Sequence, residues 1–174
     1  MISSSPLQEH KIHNIRDFVL ISSIALFLIW FLFFFLFKIG VPAKEHSGCL
    51  DSSLFLVSRH DSIVERGGLY VMTLDRDMKN AKKGTRLLKR IAALPGDKVS
   101  IERDGVRVNN LEFYRVPLWP VANRLDISID SLIKTIVVPE GKIFVIGNTD
   151  KSYDSRFWGF LNESSVVARA YALL

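Results

Sequence analysis

A long apolar run lies near the beginning of the chain. Residues 18–37 are all apolar except Ser22 and Ser23, and they contain seven of the twelve phenylalanines. As a helix rising about 1.5 Å per residue, such a run covers about 30 Å, the hydrocarbon thickness of a bilayer. A helix also satisfies its own backbone hydrogen bonds in lipid. The pattern predicts a short N-terminal arm at residues 1–17 and a transmembrane anchor at residues 18–40.

A cleaved secretory signal is the competing interpretation of this run. The apolar core of a signal peptide is usually about 7–15 residues long and precedes a small-residue cleavage site. Here the run is longer, and Val-Pro-Ala at residues 41–43 matches such a site only weakly. We therefore favour a retained anchor. Its orientation is left open by the positive-inside rule, because basic residues lie on both sides of it: Lys11, Arg16, Lys38, Lys44 and Arg59.

Beyond the anchor, short apolar runs alternate with turn residues. Asp104-Gly105 between two alternating runs is a strong two-residue hairpin signal. The predicted strands lie within residues 54–57, 69–72, 87–94, 99–101, 106–108, 136–138, 142–146 and 166–168. Strands at this spacing predict a mainly β domain, a small barrel or sandwich, over residues 41–174. The periodicity of residues 111–135 is weak, and that segment receives no assignment.

The charge pattern argues against a nucleic-acid partner. The chain carries a formal charge of +5, but its basic residues are interleaved with acids, and no aromatic–basic stripe accompanies them. Attraction to anionic lipid headgroups is the simpler explanation for an anchored domain. A single cysteine excludes an internal disulfide, and the four histidines have no ligand spacing. We therefore expect neither a metal nor a cofactor.

Lys89 lies within one of the apolar runs. Strand alternation places Lys89 on the same face as Ile91 and Ala93. An ammonium group in an apolar environment can lose its proton near neutrality and act as a general base. The alternative is a solvated strand face for Lys89 and Arg90, ahead of the tight turn at residues 95–97.

A loop dense in Ser, Asp and Asn follows the predicted strand at residues 142–146. Within it, Asp154 and Arg156 stand two residues apart and could form a charge-assisted pair that fixes the loop. The alternative is an ordinary capped turn, because these residue types are common in turns.

Three segments together resemble the signature boxes of type I signal peptidases, in the same order and with comparable spacing. Residues 89–97 match a Lys-Arg-x-x-x-x-Pro-Gly-Asp box, and residues 147–159 match a Gly…Ser-x-Asp-Ser-Arg-x-x-Gly box. Residues 47–50, Ser-Gly-Cys-Leu, stand where that family has Ser-Gly-Ser-Met. The short run from Cys49 to Val57, with no large inserted domain, looks closest to the plasmid conjugative-transfer peptidases that mature pilin precursors.

The resemblance implies a nucleophile just after the anchor. Cys49 stands in the place of the nucleophilic serine, and Ser47 in the place of a hydroxyl that supports the oxyanion hole. A thiol is chemically sensible there, since its reference pKa of about 8.5 lies far below that of an alcohol. Ser53 or Ser52 remains an alternative nucleophile, at the cost of shifting the register and losing the Ser-Gly match. An inactive site is the third possibility.

The resemblance also implies roles for residues of the other two boxes. Lys89 corresponds to the general base, and Ser152 to the hydroxyl that orients its ammonium group. Asp154 and Arg156 correspond to a structural ion pair.

Three positions depart from the family's pattern. The proline expected soon after the nucleophile is absent, and residues 51–53 read Asp-Ser-Ser. The Gly-Asp expected before the next strand is Gly67-Gly68. The Gly-Asp-Asn that opens the last box is Gly-Asn-Thr at residues 147–149.

The resemblance implies an endopeptidase that cleaves a membrane-tethered precursor protein with a nucleophile–lysine dyad. We expect a single-pass protein of the inner (cytoplasmic) membrane with its catalytic domain on the outer, periplasmic side. The competing hypothesis is a non-catalytic membrane component of a secretion or conjugation apparatus that retains the peptidase fold. The expected partners are the precursor protein and the lipid bilayer.

Overall fold

The computed structural model describes residues 6–40, 50–59, 61, 63–79 and 81–173. The chain is divided into two compact units, residues 1–37 and residues 38–174. The first contains helix α1 (Pro6–Leu36). Within α1, Ile15–Leu36 has a mean hydropathy of 2.8 and is long and apolar enough to cross a membrane. The helix thus begins inside the segment predicted as an arm, and Phe37–Gly40, predicted as the end of the anchor, forms strand β1.

The second unit is built from two antiparallel sheets, so the predicted mainly β class is confirmed. The seven-stranded sheet has the order β1-β2-β11-β3-β4-β9-β10, and the four-stranded sheet has the order β7-β6-β5-β8. The strands beyond β1 are β2 (Phe55–Ser58), β3 (Leu69–Thr73), β4 (Arg86–Ala93), β5 (Lys98–Glu102), β6 (Gly105–Val108), β7 (Glu112–Tyr114), β8 (Lys134–Val137), β9 (Lys142–Ile146), β10 (Leu161–Asn162) and β11 (Val166–Ala172).

Three short helices complete the second unit. These are α2 (Trp119–Leu125), α3 (Ile129–Leu132) and α4 (Ser155–Trp158), with a 3₁₀ turn at Glu163–Ser165. Strand β7 and helices α2 and α3 all fall in the segment that the sequence left unassigned. Each is at most seven residues long, too short for a clear period to develop.

Two apolar clusters use opposite faces of the seven-stranded sheet. The first lies between the sheets and includes Phe144 and Ile146 of β9 with Val99 and Val106 of the smaller sheet. The second contains alternate residues of the larger sheet: Tyr70, Met72, Leu87, Ile91, Ile143 and Val145. In an antiparallel strand, successive side chains point to opposite faces, so one sheet contributes to both clusters.

The hairpin between β5 and β6 lies one residue from its predicted position. Glu102 pairs with Gly105, so the two loop residues are Arg103 and Asp104. Gly105 is the first residue of β6, and the neighbouring strand β7 approaches it closely. A Cβ atom at this position would lie 2.2 Å from the carbonyl oxygen of Tyr114. The glycine therefore makes room for β7 and does not supply a turn conformation.

Candidate active site

Lys89 lies in the middle of β4 and is 1% exposed. It pairs with Tyr70 of β3, and alternation places it on the face of Leu87 and Ile91, which belong to the second apolar cluster. The predicted apolar face therefore holds for Ile91. It is wrong for Ala93, because the register between β4 and β9 shifts between Ile91 and Ala93. This bulge moves Ala93 into the first cluster.

Ser152 contacts the end of the lysine side chain. The Lys89 Nζ donates a hydrogen bond of 2.7 Å to the Ser152 Oγ, and Ser152 is fully buried. The two residues are 63 positions apart in the chain. The larger sheet brings them together, since β4 pairs with β9 and Ser152 follows β9 in the loop at residues 147–154. We call this segment the box loop.

The box loop is fixed by a buried ion pair. Arg156 Nε lies 2.7 Å from Asp154 Oδ1 with both side chains fully buried, and Arg156 Nη2 lies 2.8 Å from Asp154 Oδ2. This bidentate geometry is the strong form of an arginine–carboxylate contact. Asp154 also accepts a hydrogen bond of 2.9 Å from the Gly147 N–H. The carboxylate thereby closes the loop from its first residue to its last.

The remaining donors of Arg156 hold backbone carbonyl groups. Its Nη1 donates to the carbonyl oxygens of Val116 and Pro117 at 2.6 Å and 2.9 Å, and its Nη2 donates to that of Ser152 at 2.9 Å. The sequence indicated the carboxylate partner and gave no signal for the carbonyls of Val116 and Pro117, because they lie about 40 residues away in the unassigned segment. Arg156 thus fixes the backbone of the residue that contacts Lys89.

Burial and its compensation determine the charge state of Asp154. Burial alone acts to raise the pKa of Asp154, and the charge and hydrogen bonds of Arg156, with smaller contributions from Lys89 and the Gly147 N–H, outweigh it. The net pKa lies below the ordinary value of an aspartate. The carboxyl group is therefore ionised at neutral pH despite complete burial.

The turn after β4 has its own carboxylate. Gly96 has φ of +84°, the left-handed region that glycine adopts readily. Asp97 accepts hydrogen bonds from the Leu94 N–H at 2.8 Å, from Asn109 Nδ2 at 2.8 Å and from Arg66. Arg66 precedes the Gly67-Gly68 pair, and sequence reasoning missed it because it lies 31 positions from Asp97.

The predicted nucleophile segment is described from Leu50 onward. Cys49 and Ser47 lie outside the described residues. Ser52 is half-buried and Ser53 is exposed, in the irregular segment before β2. The N–H of Asp51 donates a hydrogen bond of 3.0 Å to Asn148 Oδ1 of the box loop. The segment that follows Cys49 therefore contacts the loop that carries Ser152.

Comparison with known proteins identifies the family of this chain. The profile of the family described as "Signal peptidase, peptidase S26" matches residues 13–174, nearly the whole chain. The chain belongs to the signal peptidase family. Among the residues that the structure describes, no three His, Cys, Asp or Glu side chains are grouped to hold a metal ion.

Individual signal peptidases align over different lengths. The Signal peptidase I P of Bacillus subtilis subsp. natto is 28% identical over 170 residues, which are 92% of this chain and 89% of that protein. The Signal peptidase I of Bacillus caldolyticus is 31% identical over 98 residues, 52% of this chain and 54% of that protein. The chain thus spans about half the length of that second relative.

A solved structure of the same family also aligns with the chain. It is a signal peptidase I from Enterococcus faecalis V583, with 25% sequence identity and a TM-score of 0.39. The alignment covers 64% of this chain and 97% of that one.

Proposed function

We propose that this chain is a membrane-anchored endopeptidase that cleaves membrane-tethered precursor proteins, with Cys49 as the nucleophile and Lys89 as its proton-transfer partner. The observation that carries the proposal is the buried Lys89, whose Nζ lies 2.7 Å from the Ser152 Oγ. Burial of a lysine is costly unless its head group is satisfied. The Ser152 hydroxyl satisfies this head group, which supports a proton-transfer role for Lys89 in the proposed reaction.

The reaction consists of two acyl transfers. The Cys49 thiolate attacks the carbonyl carbon of the scissile peptide bond, and a tetrahedral intermediate forms, with Ser47 supporting the oxyanion. The C–N bond then breaks, and the Lys89 ammonium donates a proton to the leaving amine. Lys89, now neutral, removes a proton from water, and the hydroxide attacks the thioester carbonyl. The C–S bond then breaks, which releases the carboxylic acid product and restores the Cys49 thiolate and the Lys89 ammonium. Ser152 holds the Lys89 Nζ throughout.

Membrane attachment and substrate class belong to the same proposal. The apolar segment Ile15–Leu36 serves as a single-pass anchor in the inner membrane, and the β unit works on the outer, periplasmic side. The resemblance to conjugative-transfer peptidases supports a pilin or another transfer protein as the precursor. The short connection from Cys49 to β2 is the feature that this resemblance rests on.

Co-expression with candidate precursors tests the proposal, with a size shift of the precursor as the readout. Parent protein should process its precursor, whereas Lys89→Ala and Cys49→Ala should not, although both variants remain in the membrane. Lys89→Arg should also fail, because a guanidinium does not release its proton in this range. Processing that persists in Lys89→Ala would remove the dyad, and the chain would then be a non-catalytic component of the membrane apparatus.

A second set of variants decides which residue is the nucleophile. Cys49→Ser restores the family's usual residue and should retain some processing with a higher pH requirement, since a hydroxyl must be deprotonated during attack. Ser52→Ala and Ser53→Ala should process at close to the parent rate. Full activity in Cys49→Ala together with loss in Ser53→Ala would move the nucleophile to the serine.

A further inference from the structure

The box loop makes a second contact, through Asn148. Its exposed residue Asn148 uses its side-chain Oδ1 to accept a hydrogen bond of 3.0 Å from the backbone N–H of Asp51. The two residues are 97 positions apart. Asp51 is two residues after Cys49 in the chain, and the intervening Leu50 is 7% exposed.

The residue before Asn148 is held by a buried hydrogen bond. The preceding residue, Gly147, is buried, and its N–H donates 2.9 Å to the buried carboxylate of Asp154. Asp154 in turn is held by Arg156, which also binds the carbonyl oxygen of Ser152. The Asp154–Arg156 ion pair thus binds the backbone of Ser152, which contacts Lys89, and that of Gly147, which directly precedes Asn148.

We propose that Asn148 is a positioning residue, whose side-chain oxygen holds the segment after Cys49 in register with Lys89 and Ser152. The inference rests on the proposed function, in which Cys49 and Lys89 act together. Asn148 is not itself a catalytic residue, since it acts through the backbone of Asp51.

The chemistry of the two partners suits this task. Asn148 stands where the family's box has aspartate, and Asp51 begins the Asp-Ser-Ser segment that replaces the family's expected proline. Two of the three departures from the family's pattern are thus in contact. A neutral amide accepts the hydrogen bond without adding a negative charge next to the acidic residue Asp51.

Precursor processing by the full chain in membranes provides the first test. Asn148→Ala should lower kcat by about tenfold, the size expected for one hydrogen bond that orders a reacting group, with little change in KM. Asn148→Asp keeps an acceptor oxygen and should regain at least half of the parent rate in about 0.5 M salt, where repulsion from Asp51 is screened. The matched control is Asn123→Ala, the same change at an exposed position of α2, and it should process at the parent rate.

A second measurement is independent of any substrate. Cys49 is the only cysteine, so alkylation by iodoacetamide, normalised to the urea-unfolded chain, reports on this thiol alone. The parent should react faster than Lys89→Ala, because a nearby ammonium favours the thiolate. Asn148→Ala should react at close to the slow rate of Lys89→Ala, and Asn148→Asp should react faster than Asn148→Ala. If Asn148→Ala does not fold, Asn148→Gln replaces it, since it displaces the oxygen by one methylene.

The two measurements separate the two proposals. Absence of processing by the parent, or processing that survives in Lys89→Ala, overturns the proposed function, and alkylation still decides the role of Asn148. Parent-like processing and parent-like alkylation in Asn148→Ala overturn the positioning role. Equal alkylation rates of the parent and Lys89→Ala overturn the positioning role as well. Lys89 would then have no influence on the Cys49 thiol, so Asn148 could not act by aligning the two.

Discussion

Asp154 and Asp97 each belong to a turn that follows a strand of the seven-stranded sheet, and each has an arginine partner. Asp154 and Arg156 are both fully buried. The side chain of Asp97 is 10% exposed and that of its partner Arg66 is 32% exposed. Both carboxyl groups have a pKa below the ordinary value. The two turns therefore reach the same charge state in different environments.

The effects that offset burial and lower the pKa differ between Asp97 and Asp154. For Asp97, burial acts to raise the pKa, and the hydrogen bonds of the Leu94 N–H and Asn109 precede Arg66 among the effects that lower it. For Asp154, the charge of Arg156 is the largest effect opposing burial. Removing Arg156 should therefore lower the free energy of unfolding strongly. Removing Arg66 should lower it only slightly, since Asp97 keeps its other hydrogen-bond donors.

Arg156→Ala should have the largest effect of all the stability variants. Removing one partner of a fully buried pair leaves an uncompensated charge and typically costs about 3–5 kcal/mol. The loss of three carbonyl contacts adds to that cost. Chemical denaturation of the detergent-solubilised chain, followed by circular dichroism, measures the change.

Arg156→Lys separates charge from geometry at the same position. Lysine keeps the positive charge but lacks the planar fork that reaches Asp154 and the carbonyl oxygens together. It should recover only part of the lost stability. A lysine variant as stable as the parent would show that charge alone fixes the box loop.

The stability of the parent and that of a variant with an uncharged residue at position 97 should depend differently on pH in acid. The pKa of Asp97 is lower folded than unfolded, so its stabilising contribution is complete above the unfolded value of about 4 and is lost as pH falls through the folded pKa. Asp97→Asn keeps an acceptor and removes this titration. The difference in free energy of unfolding between parent and variant should shrink below about pH 4, by at most 1.4 kcal/mol per pH unit. A difference that stays constant from neutral pH down to about pH 2 would contradict the assignment.

Local pattern accounts for the parts of the fold that were predictable from sequence. Residues 142–146 were predicted as a strand, and β9 has those bounds, because five apolar or amphipathic residues lie between two glycine turns. The contact from Lys89 to Ser152 followed from the family resemblance and not from periodicity. The short elements at residues 112–132 have no clear period, and the contacts of Arg156 with the carbonyl oxygens of Val116 and Pro117 between them are tertiary contacts that no local pattern predicts.

The bulge in β4 shows a second limit of pattern reasoning. Alternation placed Ala93 with Lys89, and the extra residue Ala92 reversed that placement. Two small alanines fit either face, so the sequence contains no volume signal for the shift. Arg66 and Asn148 were missed for a different reason, since each contacts a partner at least 31 positions away.

Arg66→Ala should lower the free energy of unfolding less than the two changes at Arg156. The Arg66 side chain is about one-third exposed, so solvent screens its charge and the loss should be about 1 kcal/mol. Asp97 retains its hydrogen bonds to the Leu94 N–H and Asn109. Urea denaturation measures the shift. A loss as large as that of Arg156→Ala would mean that exposure does not separate the two turns.

Arg103→Ala should have the smallest effect and serves as the reference for both turns. Arg103 lies 2.7 Å from Asp130, a distance like that of the Arg156–Asp154 pair, but the two side chains are 60% and 80% exposed. An exposed ion pair gains little electrostatic energy in water, and ordering its side chains costs entropy. The free energy of unfolding should therefore change by less than about 0.5 kcal/mol. The same denaturation assay at low and high salt checks this. If Arg103→Ala cost as much as Arg156→Ala, contact distance rather than burial would determine how strongly each arginine stabilises the chain.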